Sequence, residues 1–380
     1  MGDLLCATIH FLETNKVKTM IPYGIQSDTH NHGWSAFSTI LPSGINSRLQ
    51  SILDETWRLA LEIKAKGGKS LYHTGDLFHV RGNIAPSVLN PTLDLYRRIV
   101  EELGIQPRLL AGNHDLEGRD AKRVSSAITA LEGVGCEIVN ELTCFADDRV
   151  VMIPWTQDIT ALKAEINRAV DEINGHAHSH MHNDWTLMIH APVDGVITGL
   201  PAHGLTDVDL KGYGFKYVFS GHYHHHKSFG NGVYSVGAST HQTWSDVNSK
   251  AGFLIVSDEG VKWYKSHAPE FVEINGDTDE VELKATVNGA YVRAKIVSAK
   301  QSDVERVREY LLRECNAAGV TILTTKSTVE AARTSSTVKA GASIEESVTE
   351  FIKKSSSTDP ERLGLLCSAI LTEARMEIAE

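Results

Sequence analysis

The chain alternates short, wholly apolar runs with longer stretches in which apolar residues recur every three or four positions. Tyr23–Ser27, Ser70–Thr74, Arg108–Ala111, Thr186–Ile189 and Tyr217–Ser220 are runs of the kind that forms buried strands. Between them, Leu49, Leu53, Trp57, Ala60 and Leu61 predict a helix over Ser47–Lys66, closed by Gly67-Gly68. Pro91 stands early in a second helix over Asn90–Leu103, which Gly104 ends, and a third covers Ala161–Ile173. Strand and helix in alternation predict an α/β layered domain. Beyond Gly232 the pattern turns to strands: Val233–Val236, Gly252–Ser257 and Val261–Ser266, the last two joined by the hairpin residues Asp258-Glu259-Gly260.

Residues 271–280, with Asn275-Gly276-Asp277, read as a linker. After it come a strand over Tyr291–Ser298, an amphipathic helix over Val304–Cys315 and a strand over Val320–Thr324, which together predict a small α+β domain at 281–326. Residues 327–343, rich in Ser, Thr and Ala, read as a second linker. Two amphipathic helices, Ile344–Lys353 and Pro360–Ile378, fill 344–380. The main domain is expected over 20–270, and 1–19 as an extension, with Met20 as an alternative start.

Composition narrows the class. A chain of 380 residues holds two or three domains. With 42% hydrophobic and 22% charged residues it is neither disordered nor fibrous. No apolar run approaches the roughly 20 residues of a membrane helix. No basic residue precedes the short apolar stretch Leu4–Leu12, so no secretion signal is expected. Five scattered cysteines with no CxxC pair exclude a disulfide framework and a cysteine zinc site. A cytoplasmic protein is expected, in a host's cytoplasm if the source is viral. The net charge of −11 shows no electrostatically driven nucleic-acid binder. Charge is uneven, however: 281–340 carries 10 basic and 6 acidic residues, and 341–380 carries 4 and 8. The first 280 residues therefore hold the whole negative excess, and a phosphate reaching them needs bound metal to offset it.

Histidine changes the picture most. There are 18, against 10 Phe and 10 Tyr, and histidine is the commonest metal ligand. The apolar runs end in clusters of polar donors: Asp28-Thr29-His30, Gly75-Asp76, Gly112-Asn113-His114-Asp115, His190, and Gly221-His222-Tyr223-His224. Open α/β sheets place their sites at the carboxyl ends of strands. Asp28, His30, Asp76, Asn113, His190, His222 and His224 mix carboxylate, amide and imidazole donors without thiolate, which suits Mn²⁺, Fe or Zn²⁺. Seven donors are too many for one ion. Two ions sharing one carboxylate would use them all, bind a phosphate's oxygens and activate water for in-line attack on phosphorus. Asp28 and His30, and likewise His222 and His224, are alternate residues, so each pair meets one ion only if the chain turns off its strand between them.

These five motifs, in this order, resemble the calcineurin-like metallophosphoesterases. The resemblance implies a layered β-sandwich flanked by helices, with one ion held by Asp28, His30, Asp76 and His224 and a second by Asp76, Asn113, His190 and His222. Asp76 would bridge. His114 would not ligate but would face the phosphate and assist the leaving oxygen, with Asp115 orienting its ring. Within that superfamily, Gly75-Asp76-Leu77-Phe78-His79-Val80-Arg81, Ile153-Pro154-Trp155 and the run from Ala202-His203-Gly204-Leu205 to Ser220-Gly221-His222 look like the SbcD-type (meiotic-recombination-eleven) nuclease subunit, in its bacteriophage recombination-endonuclease branch. His79 stands where many members of that branch carry Asp.

That likeness implies a DNA exonuclease or endonuclease of recombination and repair, using two divalent ions, Mn²⁺ foremost, with Mg²⁺, Fe²⁺ or Zn²⁺ as alternatives. It implies DNA, a homodimer partner and an SbcC-type coiled-coil ATPase docked through 344–380. The small domain would cap the site and touch DNA. His32, His225 and Arg81 are candidate substrate contacts. The run His176–His182 reads as a solvated loop, and Trp34, Trp155 and Trp244 as packing residues. The competing function is a stand-alone phosphatase or cyclic-nucleotide phosphodiesterase on the same fold, because fold and metal site do not fix the substrate.

Overall fold

The computed structural model describes residues 20–118, 125–175, 182–275, 279–297, 300–325, 348–349, 352 and 359–378. Two six-stranded sheets form its centre. The first runs in the order β12 (Gly260–Lys265), β11 (Gly252–Ser257), β1 (Tyr23–Gln26), β2 (Ser70–His73), β3 (Gln106–Leu110) and β4 (Glu137–Val139). The second runs β5 (Thr143–Phe145), β6 (Val150–Ile153), β7 (Thr186–His190), β8 (Tyr217–Gly221), β10 (Val233–Ser235) and β9 (Lys227–Ser228). β1 to β4 are mutually parallel, as are β6, β7, β8 and β10, whereas β11, β12, β5 and β9 pair antiparallel at the edges. The mixed α/β sandwich is the expected architecture.

Parallel neighbours need crossovers. α1 (Ser47–Ala65) joins β1 to β2, and α2 (Pro86–Arg98) joins β2 to β3. α3 (Ile159–Gly175) and α4 (Asp207–Gly212) serve β7 and β8. Asn46 starts α1 by accepting the N–H groups of Arg48 (2.9 Å) and Leu49 (3.2 Å) through its side chain. α2 begins at Pro86, not near Asn90 as the pattern predicted. Pro86 takes the first turn, where its missing N–H costs nothing, and the helix continues through Pro91. The three-residue strands β4 and β5 are too short to carry a period, and β6, a four-residue apolar run like those of β1 and β2, is a strand the pattern reading left out.

Three apolar layers result. Ile25, Tyr72, Leu110, Met152, Met188 and Phe219 fill the space between the sheets, where the Tyr23 hydroxyl also meets Thr186 Oγ1 at 3.0 Å. Leu49, Leu59, Ile63 and Tyr96 seat α1 and α2 on the first sheet. Leu162, Ile166, Ala169 and Leu210 seat α3 and α4 on the second. Because the central strands are parallel, the carboxyl ends of β1, β2 and β3 share one edge of their sheet, and those of β6, β7 and β8 share one edge of theirs.

A third sheet contains β13 (Phe271–Ile274), β14 (Tyr291–Val297) and β15 (Gly319–Thr325), with α5 (Glu280–Val287) and α6 (Gln301–Arg313). Its first strand comes from the segment read as a linker. β13 ends at Ile274 and pairs parallel with β14. Phe37, held at φ 59°, stacks on Tyr291 at 4.9 Å and lies 6.0 Å from both Phe271 and Trp244, joining this sheet to the main body.

A separate unit contains α7 (Pro360–Ile378), on which Leu365, Leu366 and Ile370 are exposed. The 1–19 extension, the 327–343 linker and most of the helix expected over 344–353 lie outside the described residues. No helix among the described residues is long and apolar enough to cross a membrane.

Candidate metal centre

Left-handed backbone makes the required turns off the strands. After β1 the chain passes through positive φ at Asp28 (47°) and His30 (44°), after β2 at Asp76 (59°), and after β8 at His222 (100°). Eight described non-glycine residues have positive φ, and half of them are here. Such strain persists only where the surroundings over-determine it.

Two groups of donors form. Asp28, His30 and His224 bring ligand atoms within 4.8 Å of one another, and so do Asp76, His190 and His222. Asn113 joins the second group, its Oδ1 3.1 Å from His190 Nε2 and 3.1 Å from His222 Nδ1. Asp76 Oδ2 lies 3.6 Å from His30 Nε2 and 3.4 Å from His190 Nε2, so one carboxylate faces both groups. All seven expected donors are brought together.

The loops are locked from behind. His190 donates its Nδ1–H to the Thr74 carbonyl at 2.7 Å, which leaves the Nε2 lone pair to the site. His224 Nδ1 meets Asp246 Oδ1 at 2.8 Å, while Asp246 Oδ2 accepts the N–H groups of Gln242 (2.7 Å) and Thr243 (2.9 Å). The Gln242 amide donates to the Asp28 carbonyl at 2.5 Å. His73 accepts the Gly75 N–H on Nδ1 (3.2 Å) and meets Thr29 Oγ1 through Nε2 (3.1 Å), tying the first two motifs together. The Trp155 ring stacks on His222 at 5.1 Å. Two glycines are required by space: a side chain on Gly112 would collide with the Asp76 carboxylate, and one on Gly75 (φ 105°) with the His190 ring.

Burial and neighbouring charge act differently on the rings. Burial holds His30 well below the usual imidazole range and lowers His222 and His73 to about 3, so their rings stay neutral with a lone pair free. Burial would also lower His190, but the Asp76 carboxylate outweighs it and raises the ring to about 9. Burial pushes Asp28 up, whereas in Asp76 it is overcome by His190 and His30, which hold that carboxyl well below the carboxylate range. Asp28 and Asp76 are 0% and 2% exposed, and among the described residues the ion pairs of Asp76 are with imidazoles. Buried carboxylates need a compensating charge. A hard-to-borderline donor set of imidazoles, an amide and two such carboxylates fits a pair of divalent cations, and a bound cation would replace the proton that Asp76 holds on His190. Asp28, His30, His224 and Asp76 would hold one, and Asp76, Asn113, His190 and His222 the other. When bound, the pair would neutralise a phosphate and activate water for attack on phosphorus.

His114 lies beside the first group, its ring centroid 4.7 Å from that of His30. The expectation for Asp115 needs correction. Its buried carboxylate does not orient the His114 ring. It accepts four backbone N–H groups, those of Asp76 (2.9 Å), Leu77 (3.3 Å), Phe78 (3.0 Å) and Gly112 (2.9 Å), and so clamps two ligand loops together. The His114 ring is oriented by the His79 carbonyl, to which Nδ1 donates at 2.7 Å. The His79 ring stacks on His114 at 15° and places its Nδ1 3.4 Å from His30 Nδ1.

Of the candidate substrate contacts, His32 packs at 5.1 Å from His79 and 5.2 Å from Trp34, at the edge of this ring cluster. His225 is half-buried, with its Nδ1 lacking a hydrogen-bond partner. Arg81 is exposed on the loop after β2, and its guanidinium bonds no described residue. His182 is held by the Asn174 side chain, and the rest of its histidine run, 176–181, lies outside the described residues. Sequence reasoning missed His73, Gln242, Asp246 and Arg48. Asp246 lies 22 residues past His224 in an irregular loop, and no spacing rule points to it.

No curated protein matches the chain. Among solved structures, a dimetal phosphatase from Danio rerio shares 9% identity over 63% of this chain and 93% of its own, with a TM-score of 0.41. A nuclease MPE from Pseudomonas putida shares 15% over 53% of this chain and 61% of its own, with a TM-score of 0.27. The model of the calcineurin-like phosphoesterase family matches residues 21–226, the stretch that carries both donor groups from Asp28 to His224. Over half the chain is covered by that match, and the chain belongs to the calcineurin-like phosphoesterase family.

Proposed function

We propose that this phosphoesterase is a DNA nuclease subunit of the SbcD type, working with two divalent ions, Mn²⁺ foremost, and with an SbcC-type coiled-coil ATPase. The observation that carries the chemistry is Asp76 facing both donor groups with His114 beside them. His114 commits Nδ1 to the His79 carbonyl, so Nε2 is the atom that meets a phosphoryl or leaving-group oxygen. His73, Asp115 and Asp246 hold the ligand loops still, and Trp155 fixes the His222 ring.

DNA as substrate is supported by Leu77-Phe78-His79-Val80-Arg81 and Ile153-Pro154-Trp155. A second support is the small sheet packed against the loop at Phe37, whose region 281–340 has a net positive charge suited to a phosphate backbone. The exposed Leu365, Leu366 and Ile370 of α7 suit docking of an ATPase coiled coil through 344–380. A homodimer acting in the cytoplasm completes the reading. The test is one Mn²⁺ assay panel of single-stranded DNA, double-stranded DNA and bis(p-nitrophenyl) phosphate. Cleavage of DNA is expected. Turnover of the chromogenic diester with both DNAs intact would move the assignment to a small-molecule phosphodiesterase or phosphatase.

A further inference from the structure

We infer that His30, His79 and His114 form a third cation seat, one that takes Zn²⁺ and, when filled, shuts the phosphoesterase off. The inference rests on the two-ion centre and on His114 Nε2 as the atom that meets the phosphate, not on DNA as the substrate. The three rings bring ligand nitrogens within 4.8 Å of one another, the same closeness as in each donor group of the centre. Their centroids are 5.3 Å (His30–His79), 4.7 Å (His30–His114) and 5.5 Å (His79–His114) apart. The corresponding pairs inside the two donor groups, His30–His224 and His190–His222, stand at 5.0 Å and 5.4 Å. His30 Nδ1 and His79 Nδ1 are 3.4 Å apart. Donors 2.0–2.1 Å from a tetrahedral Zn²⁺ are separated by about 3.3–3.4 Å. His79 and His114 are half-buried, so an ion can reach them, whereas Asp28, Asp76 and His190 are buried.

Donor chemistry selects the ion. The triad offers three imidazoles and no carboxylate, which suits Zn²⁺ with its fourth position left to water. Mn²⁺ favours the carboxylate oxygens of Asp28 and Asp76. His30 decides the consequence. Its Nε2 faces Asp76 at 3.6 Å and its Nδ1 faces His79. A neutral imidazole has one lone pair. An ion on Nδ1 therefore leaves the proton on Nε2, and the ring no longer serves the first ion of the centre. His114 commits Nδ1 to the His79 carbonyl, so it binds the ion through Nε2. One Zn²⁺ thus removes a ligand and the phosphate-facing nitrogen together.

The test titrates Zn²⁺ into the Mn²⁺-loaded wild type and into His79→Phe, which keeps a flat ring and removes both nitrogens. Zn²⁺ affinity is read by competition with a chromophoric chelator. Cleavage of single-stranded DNA is read relative to each protein's own Zn²⁺-free rate. The wild type should slow by about 10² or more once one Zn²⁺ is bound, the scale of losing His114. In His79→Phe the first Zn²⁺ should bind about 10–100-fold more weakly, and inhibition should shift with it. Zn K-edge absorption of the wild type with one equivalent should show imidazole scattering and no metal neighbour at the roughly 3.5–4 Å of a bridged pair. His79→Leu serves if His79→Phe does not fold. Equal Zn²⁺ affinity and equal inhibition in wild type and variant, or a metal neighbour in the absorption spectrum, would overturn the third seat, because Zn²⁺ would then be replacing Mn²⁺ in the centre. A wild type that cuts no DNA would overturn the nuclease reading alone, since the Zn²⁺ affinities and the absorption spectrum need no substrate.

Discussion

Replacing Asp115 with Asn tests the corrected role of this carboxylate. Oδ2 accepts from Asp76, Leu77 and Gly112, and Oδ1 accepts from Phe78. Asparagine keeps one acceptor and turns an NH₂ toward the other position, so at least one buried N–H loses its partner and faces a second donor. An unsatisfied buried donor costs about 1–3 kcal/mol, and the surviving bonds lose their charge assistance, worth roughly half of each. The sum is on the order of 3–5 kcal/mol, at the upper end for a point change. For a chain of this size about 2 °C follows from each kcal/mol, so melting in excess chelator should fall by roughly 6–10 °C. Differential scanning calorimetry with EDTA reads this without any contribution from metal. Because the Asp76 N–H is among the four, metal content by elemental analysis should fall as well. If Asp115 acted only on the His114 ring, the variant would melt with the wild type, keep its metals and lose rate alone. That result would refute the clamp.

Asp76→Asn should lose both ions, since its carboxylate faces both donor groups; retention of two metals per chain by elemental analysis would remove the bridging role. His114→Ala should keep its metals and bind DNA but cleave more slowly by about 10²–10⁴, and a fall in metal content would make it a ligand instead. A truncation ending at Ala340 should keep Mn²⁺-dependent cleavage of single-stranded DNA, because every donor precedes residue 225. The same truncation should fail to pull down the coiled-coil ATPase, and equal capture by the full and shortened chains would rule out docking through 344–380.

The donors were legible because each is chemically distinctive and follows an apolar run, and because parallel strands bring such positions to a common edge. Their support was not. His73 sits inside β2 in an apolar setting, where sequence gives no reason to separate it from packing residues; its role appears only when Gly75 and Thr29 fold back onto it. Asp115 was visible as part of Gly-Asn-His-Asp but was given the wrong partner. Adjacency in sequence favoured the neighbouring ring, whereas the carboxylate is turned inward to three N–H groups 37 to 39 residues away and to that of Gly112. The fold showed the same division. Long amphipathic helices and apolar strands were read from their period, while β4, β5 and β13 are fixed by pairing partners that no local pattern reveals.

Arg48 joins these two kinds of information. Its place in α1 reads as an ordinary polar position, yet it is 5% exposed. A buried guanidinium needs its donors satisfied. Here they go to the Gln242 carbonyl at 2.6 Å and, at 3.4 Å, to those of His241 and Ala36. The cation lies over the rings of Trp34 (5.2 Å), Phe271 (5.1 Å) and Tyr291 (5.6 Å), an arrangement lysine does not reproduce because its ammonium lacks the planar face. Phe271 and Tyr291 belong to the small sheet. Gln242 belongs to the metal centre, through its amide on the Asp28 carbonyl and its N–H on Asp246, the partner of His224. Arg48 therefore ties the small sheet to the loop that holds Asp28 and His224. The same side chain that holds the third sheet to the body also sets the backbone from which the first donor group is presented.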